Sequence, residues 1–554
     1  MKCFAFILIV SCLLLSANCF SQSVSQEWVR RYDGAEHLND IGEYIQPDKF
    51  GNIFVAGNTQ SSASSGDILV IKYNSAGTQL WNKIYNGPGN DTDYTGGLCV
   101  DDSGNVYVTG SSTETGTDFV TIKYNFDGVL QWVSRYRGHS DNGGEANGIA
   151  LDSTGNICVT GTMDIIPNGT DIVTIKYNSQ TGDTIWTGRF HETGSGGNYE
   201  EKASSICSDE YGNIYIAGSS YANTGPPYRD YLLIKYNPAG ELVWFKKYNG
   251  PGNNEDFIRR MCIDNNNNVC VTGLSYENAT GNNITTIKYD SSGAVKWLST
   301  YTGAMNTIKQ VNGIESDYTL NVYIAGYVSV AHETDYLSIK YDTSGAQQWA
   351  EFYNGTGNSY DECYGMTIDD SAGIYITGIS VNVNNGYDFA TVKYNTNGVQ
   401  QWVVRYPGSP TTDGKPISAD KNGNVSVTGG NEEAGTGTDV ITIKYSQPNG
   451  IINVSGNAPS KFTLHQNYPN PFNPTTKIMF SIPPSRGVRR VTNLTIYDVL
   501  GREIAVLVNQ ELKPGTYEVD WSAIGGGSNY PSGIYFYRLE TDGFTETKKM
   551  VLLK

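Results

Sequence analysis

Three observations predict an all-β chain: an eight-bladed β-propeller closed by an N-terminal strand, followed by a small immunoglobulin-like β-sandwich. The first is a tripeptide that recurs eight times, at Ile71-Lys72-Tyr73, Ile122-Lys123-Tyr124, Ile175-Lys176-Tyr177, Ile234-Lys235-Tyr236, Ile287-Lys288-Tyr289, Ile339-Lys340-Tyr341, Val392-Lys393-Tyr394 and Ile443-Lys444-Tyr445. Its lysines stand 51 to 59 residues apart, a period that marks a solenoid, propeller or array. The second is composition: 63 glycines and 39 tyrosines with only 17% charged residues fit short strands joined by many turns. The third is that the two ends of the repeat are incomplete in complementary ways. Trp28 has no tripeptide before it, and Tyr445 has no tryptophan after it. A ring in which residues 26–32 supply the outer strand of the last blade accounts for both, and it leaves no open end.

Each repeat reads as four runs, clearest in the second. Run A is Gly97 to Asp101, run B Val106 to Gly110, run C Asp118 to Tyr124, and run D carries Trp132 and Tyr136. Gly-Asn pairs (51–52, 104–105, 155–156, 212–213, 423–424) supply the positive φ that tight hairpins need between A and B. Run D places tryptophans at Trp28, Trp81, Trp132, Trp186, Trp244, Trp297, Trp349 and Trp402, expected to lock blade on blade.

The D-x-x-G-N-x-Y-V-T-G run followed by T-I-K-Y-N resembles the bacterial β-propeller repeat of the SBBP type, over nearly all of residues 26–446. That resemblance implies a shape and an extracellular habit and no particular activity. The chain divides on this reading into a signal peptide (1–21), the propeller (22–446), a polar linker (447–460) and a terminal domain (461–554). Lys2 followed by an apolar run to Leu15 and small residues to Ser21 reads as the signal, too short to span a bilayer.

Short alternating strands with glycine turns suggest a sandwich after residue 461. Asn467-Tyr468-Pro469-Asn470-Pro471-Phe472-Asn473-Pro474, Ile496-Tyr497-Asp498-Val499-Leu500-Gly501 and Ser532-Gly533-Ile534-Tyr535 resemble the type A C-terminal sorting domain of the type IX secretion system. The resemblance implies an immunoglobulin-like fold, a secretion translocon as partner through residues 461–554, and delivery to the cell surface or the medium.

Chemistry is sparse. A net charge of −18 disfavours nucleic acid as partner. Five histidines, and no CxxC, Walker loop, G-x-S-x-G or H-E-x-x-H motif, leave no recognisable catalytic or cofactor signature. Asp264-Asn265-Asn266-Asn267-Asn268 and Asp420-Lys421-Asn422-Gly423-Asn424 echo calcium loops, yet they lack the twelfth-position glutamate and read as turns. Calcium is the one cofactor this leaves in view. Cys262 and Cys270 are placed to face each other across a hairpin, as thiols or as a disulfide.

Two acidic sets repeat. Asp67, Asp118, Asp171, Asp230, Asp335, Asp388 and Asp439 precede run C, with Asn283 breaking the set. Asp40, Asp93, Glu145, Glu201, Asp256, Asp361 and Asp413 precede run A, with Lys309 in the sixth place. The second set is a candidate acidic ring at a channel mouth; its bland reading is that each carboxylate ties down a neighbouring loop. His37, His139, His191 and His332 fall on the same loops. The B–C and D–A loops vary in length and carry tyrosines, with Tyr221, Tyr228, Tyr276 and Tyr327 the candidate ligand-face aromatics. The expected function is a non-catalytic binding or structural module, with a glycan or a surface protein as ligand. The alternative is an extracellular polysaccharide hydrolase or lyase that uses acids of the variable face.

Overall fold

The computed structural model describes residues 24–62, 64–138, 143–165, 169–192, 199–221, 228–303, 307–330, 333–369, 372–408, 416–420, 423–433, 435–447, 452–455, 459–473, 475–484, 491–512, 514–525, 528–541 and 543–553. The expected signal peptide, His139, His332 and Asp413 lie outside them. Among the described residues all regular structure is β.

The repeat folds into four-stranded antiparallel units, eight among the described residues, the third and fourth joined by a short parallel pairing of Gly169 and Thr170 with Tyr199 and Glu200. We letter their strands A to D. Seven units run in chain order, for example Asp93–Val100, Val106–Thr113, Thr117–Tyr124 and Leu130–Tyr136. In the eighth, strands Ile417–Ala419, Val425–Glu433 and Gly437–Ser446 take their outer strand from Ser25–Tyr32, with Trp28 opposite Lys444 and Tyr32 opposite Val440. The A strands of the first seven units carry a register shift at one position, as between Thr95 and Gly97. Such bulges bend a strand and raise its twist.

The local chemistry of the A–B turn is plain. Asp101 Oδ1 accepts from the Ser103 and Asn105 amides at 2.8 and 2.9 Å, and Gly104 sits at φ 75°. Asp264 does the same for Asn266 and Asn268, and it also pairs with Lys288 at 2.6 Å. The calcium-loop echo at Asp264 is thus a capped hairpin turn. Leu320 and Ala372 hold the glycine position at φ 70° and 60°.

Hydrophobic cores lie between consecutive units, and one joins the last unit to the first: Trp28, Tyr32 and Val440 pack with Ile45, Val55, Ile71 and Tyr73. The recurring lysine works across the same seams. Lys123 Nζ donates to Ser179 O at 2.7 Å, Lys235 to Ser291 O at 2.8 Å and Lys340 to Thr396 O at 2.8 Å, each acceptor lying in the next unit's C–D turn. Tryptophan shares the acceptor: Trp132 Nε1 reaches Ser179 O at 3.2 Å and Trp349 reaches Thr396 O at 3.1 Å. At the closing seam Lys444 and Trp28 both donate to Ser75 O, at 3.3 and 3.0 Å. The glycine of that turn must stay a glycine. Gly77 has φ 80°, and a Cβ there would stand 2.6 Å from the Trp28 ring.

The lock fails at two places. Among the described residues no C–D turn of the eighth unit faces the seventh; Gln447 Oε1 accepts from Lys393 instead, and Trp402 Nε1 is buried without a partner. Trp297 Nε1 is also unpartnered, and Lys288, its own unit's lysine, turns to Leu320 O and Asp264.

The C-terminal region forms two four-stranded antiparallel sheets around one core containing Phe480, Ile496, Trp521, Tyr537 and Met550. Within the stretch read as linker, Ile452–Ser455 is a strand of this domain, paired with Gly515–Ser522. The Asn-Tyr-Pro-Asn-Pro-Phe motif is held at both asparagines. Asn467 Nδ2 donates to Thr476 Oγ1 at 2.8 Å, Asn470 Oδ1 accepts from Val551 N at 2.9 Å, and Phe472 enters the core. No helix of the described residues is long and apolar enough to cross a membrane.

Candidate functional site

The two acidic sets belong to one arrangement. The A-strand acid of one unit and the C-strand acid of the unit before it meet at the seam: Asp67 with Asp93, Asp171 with Glu201, Asp230 with Asp256, Asp335 with Asp361, and Asp439 with Asp40, each pair feeling the other's charge. Asn283 and Lys309, which looked like separate exceptions, are the two sides of one seam. There Lys309 Nζ donates to Asn282 O at 3.0 Å.

The A-strand acids do not line an open mouth. Asp40, Asp93, Glu201, Asp256 and Asp361 are fully buried. Four of them tie down the D–A loop: Gly34, Gly87, Gly250 and Gly355 each donate an amide N–H to the aspartate six residues on, all at 2.6 Å. A side chain at Gly87, Gly250 or Gly355 would collide with Ser112, Ser275 or Ser380 on the neighbouring strand. This is the loop-tying reading of the repeated acid, in the geometry of a charge-assisted bond to backbone. Burial raises the Asp93 and Asp361 carboxyls, and the serine and backbone bonds offset part of that rise.

Glu145 is not part of the set. It pairs with Thr162, in the place that Tyr94 holds opposite Ser111, and it is exposed. Gly144 occupies the acid's position, beside Met163 and Phe119. The signal was available: every tied aspartate stands eight residues after the D-strand tyrosine, and eight residues after Tyr136 is Gly144.

The C-strand acids mostly meet a cation of strand D in their own unit. Arg135 and Arg137 both bind Asp118, at 2.9 and 2.8 Å; Arg189 binds Asp171; Arg405 binds Asp388 at 2.8 Å; and Lys247 stands 4.0 Å from Asp230. Where strand D offers Ile84 or Phe352, Asp67 and Asp335 each keep a buried oxygen without a hydrogen-bond partner.

One seam has the strongest electrostatics. Glu201 replaces aspartate and Glu192 takes the place of the loop glycine. Among the described residues neither Glu201 oxygen has a side-chain partner, and burial, then Asp171 and Glu192, push its carboxyl up to about 7. His191 Nδ1 lies 2.9 Å from Asp171 Oδ1, and Asp171, His191 and Glu201 each offer a ligand atom within 4.8 Å of the others. Asp33, Asp40 and Asp439 form a second such triad.

The candidate aromatics separate into two groups. Tyr221 and Tyr228 are half-buried beside the fourth unit's B–C loop; Arg229 covers the Tyr221 ring at 5.0 Å and donates to its hydroxyl at 3.2 Å. Tyr276 is half-buried, and its amide donates to Asp256. Tyr327 joins Tyr360, another tyrosine of the variable loops, and two residues that sequence reasoning missed, Glu362 and Tyr364. Tyr360 and Tyr364 donate to the two oxygens of Glu362, and the Tyr327 ring meets that of Tyr364 edge-on at 6.3 Å. Burial and the neighbouring carboxylate push the Tyr327 hydroxyl up to about 12. A cavity of about 400 Å³ opens elsewhere, at the A–B turns of the fifth to seventh units, lined by Asn265, Glu315, Tyr318 and Asp369. Burial pushes Glu315 up to about 7. All six described cysteines are thiols, with Cys262 and Cys270 paired across strands A and B.

Known proteins match parts of both regions of the chain. A curated relative, a WD repeat-containing protein of Acanthamoeba polyphaga mimivirus, is 22% identical over 475 residues; the match covers 61% of this chain and 33% of that protein's length. A solved structure from Dyadobacter fermentans aligns over 54% of this chain and 93% of its own, at 10% identity and a TM-score of 0.36. Drosophila Plexin A in complex with Semaphorin 1b aligns over 76% and 88%, at 8% identity and a TM-score of 0.34. Residues 80–116 match the family described as a beta-propeller repeat, of the SBBP type, and residues 466–553 match the secretion system C-terminal sorting domain. The chain therefore carries a β-propeller repeat and a sorting tail that directs it to the cell surface or the extracellular space.

Proposed function

We propose that this protein is an eight-bladed β-propeller, exported through a signal peptide and its immunoglobulin-like sorting domain, that acts outside the cell as a non-catalytic binding module. The observation that carries this reading is the fate of the repeated acids. A hydrolase or lyase working through them needs carboxyls that reach a substrate, and a glycosidase needs two of them about 5–9.5 Å apart beside the bond to be cut. The described A-strand acids are instead buried in seams, and four are bound to loop amides. The ligand position best supported is the cluster of Tyr327, Tyr360 and Tyr364 around Glu362. It offers aromatic faces and directed hydroxyls, the chemistry that suits a sugar ring or a peptide side chain.

The propeller alone, truncated after Gln447, is the material for the test. Cutting at Ser460 would leave Ile452–Ser455 without its sheet. The shortened chain should fold and stay in the periplasm while the full chain reaches the surface. A glycan and surface-extract binding screen should then lose its signal on Tyr364→Ala and Tyr327→Ala and keep it on changes in the A–B turns. Binding that survives both tyrosine changes, or surface delivery of the truncated chain, would overturn the corresponding half of the reading.

A further inference from the structure

The seam that closes the ring differs from its sisters by one carboxylate. In three other seams the residue before the tied glycine is asparagine, whose amide donates to an asparagine four residues on: Asn86 to Asn90, Asn249 to Asn253 and Asn354 to Asn358, at 2.6 to 3.0 Å. At the closing seam that residue is Asp33, and its partner four residues on is His37, at 2.6 Å. The loop backbone is the same, with His37 at φ 56° where Asn90, Asn253 and Asn358 have 50°, 45° and 49°. The change puts a third carboxylate against the pair that every acidic seam has.

Three carboxylates now converge from three parts of the chain: Asp33 at the end of the N-terminal strand, Asp40 at the start of the first unit and Asp439 in the last unit. Each offers an oxygen within 4.8 Å of the others. Among the described residues each also has one oxygen, Oδ1, buried and without a hydrogen-bond partner, although the Thr59 hydroxyl lies against the Asp40 carboxyl. Asp40 is fully buried and Asp439 is 4% exposed. Leaving such oxygens bare is costly, since buried carboxylates are stable when paired, hydrogen-bonded or bound to a metal.

The cation at this seam makes its direct ion pair elsewhere, although its charge still acts on Asp439. Arg31 holds the strand-D position from which Arg135, Arg189 and Arg405 bind the C-strand aspartate of their units. At the closing seam Arg31 pairs with Glu433 instead. The His191 triad lacks this feature, because Arg189 sits on Asp171.

We propose that Asp33, Asp40 and Asp439 bind a hard divalent cation, calcium foremost, which staples the N-terminal strand and first unit to the last unit. Oxygen-only donors of high charge suit calcium, which takes six to eight oxygens in flexible geometry; the Thr436 hydroxyl, 3.2 Å from Asp439 Oδ2, is a further oxygen at the site. An ion bound only to the closed ring stabilises it by mass action.

The test uses the full mature chain stripped with chelator, with calcium chloride as the probe. Calorimetric titration should give one ion per chain, with a dissociation constant in the range of about 10⁻⁶ to 10⁻³ M, and calcium should raise the melting temperature. Asp33→Asn installs the residue that three sister seams carry, so it should fold normally yet bind calcium at least about tenfold more weakly, since one of three charged ligands is lost. Glu433→Gln frees Arg31 for Asp439 and should weaken binding in the same direction. No heat and no thermal shift with wild type at about 10 mM calcium, above the range of weak extracellular sites, would overturn the proposal. Calcium binding that Asp33→Asn leaves unchanged would overturn it too, by placing the ion elsewhere.

Discussion

The seam between the first and second units and the seam between the fifth and sixth solve one problem with opposite charges. In the first, Asp93 reaches back to the Gly87 amide and stands against Asp67. In the second, Lys309 reaches the Asn282 carbonyl, and Asn283 replaces the facing acid. The strands pair in the same register in both. What the scaffold keeps is a buried polar side chain that satisfies one backbone group at the seam, a D–A loop amide for Asp93 and a strand-C carbonyl for Lys309. The sign of its charge follows whether that group is a donor or an acceptor.

The sharpest way to break the comparison is to remove the strand on which the last unit depends. Deleting residues 24–34 takes away Trp28, Tyr32 and the partner of Gly437–Ser446. Loss of cooperative unfolding, followed by circular dichroism in denaturant, is expected.

At the level of single seams, Asp93→Ala leaves the Gly87 amide buried without its acceptor. That should cost about 2–3 kcal/mol, the penalty for an unsatisfied buried group plus a charge-assisted bond. Lys309→Met leaves the Asn282 carbonyl without its donor but also removes a buried charge, so its cost should be the smaller, about 1 kcal/mol. Denaturation midpoints for the two variants should therefore separate; equal losses would mean that removing the buried lysine charge returns nothing.

The Glu201 seam adds a pH dependence. Its carboxyl is raised in the folded chain, so the folded state holds the proton more tightly than the unfolded one. Stability from this group is therefore present below the unfolded value and falls as pH rises from about 4.5 toward 7. Glu201→Gln should flatten that fall, worth about 2 kcal/mol or less by linkage. Melting curves across that range decide it. The smallest effect belongs to a turn: Leu320→Gly relieves a left-handed leucine and should gain about 1 kcal/mol.

Periodicity made the strands, the turns and the shared outer strand of the eighth unit legible, because each of these repeats a residue type at a fixed spacing. That the strand with Trp28 pairs with the run ending at Tyr445 followed from the incomplete ends alone. The seams were not legible as seams. Asp67 and Asp93 lie 26 residues apart and meet only through the approach of two units. Glu145 was read as an acid of the set because residue type outweighed the eight-residue spacing. The Glu362 cluster escaped notice because Tyr327 comes from one unit while Tyr360 and Tyr364 come from the next, with no motif to join them. In the C-terminal domain the proline-rich motif was visible, whereas strand Ile452–Ser455 hid in a polar stretch.

The shared carbonyl at six of the eight seams, which receives both a lysine and a tryptophan from the preceding unit, also bears on how this chain comes to be folded. At those seams a unit completes its bonds only when its successor's turn has formed, so synthesis can add units in order with one unfinished edge. The last edge is different. Ser75 receives Lys444 across 369 positions of sequence, a closure that must wait until nearly the whole ring exists. Contacts of such separation slow folding, since the entropy of the loop is lost before the contact rewards it. A chain that crosses membranes by way of a C-terminal tail thus carries an N-terminal strand that finds its place last.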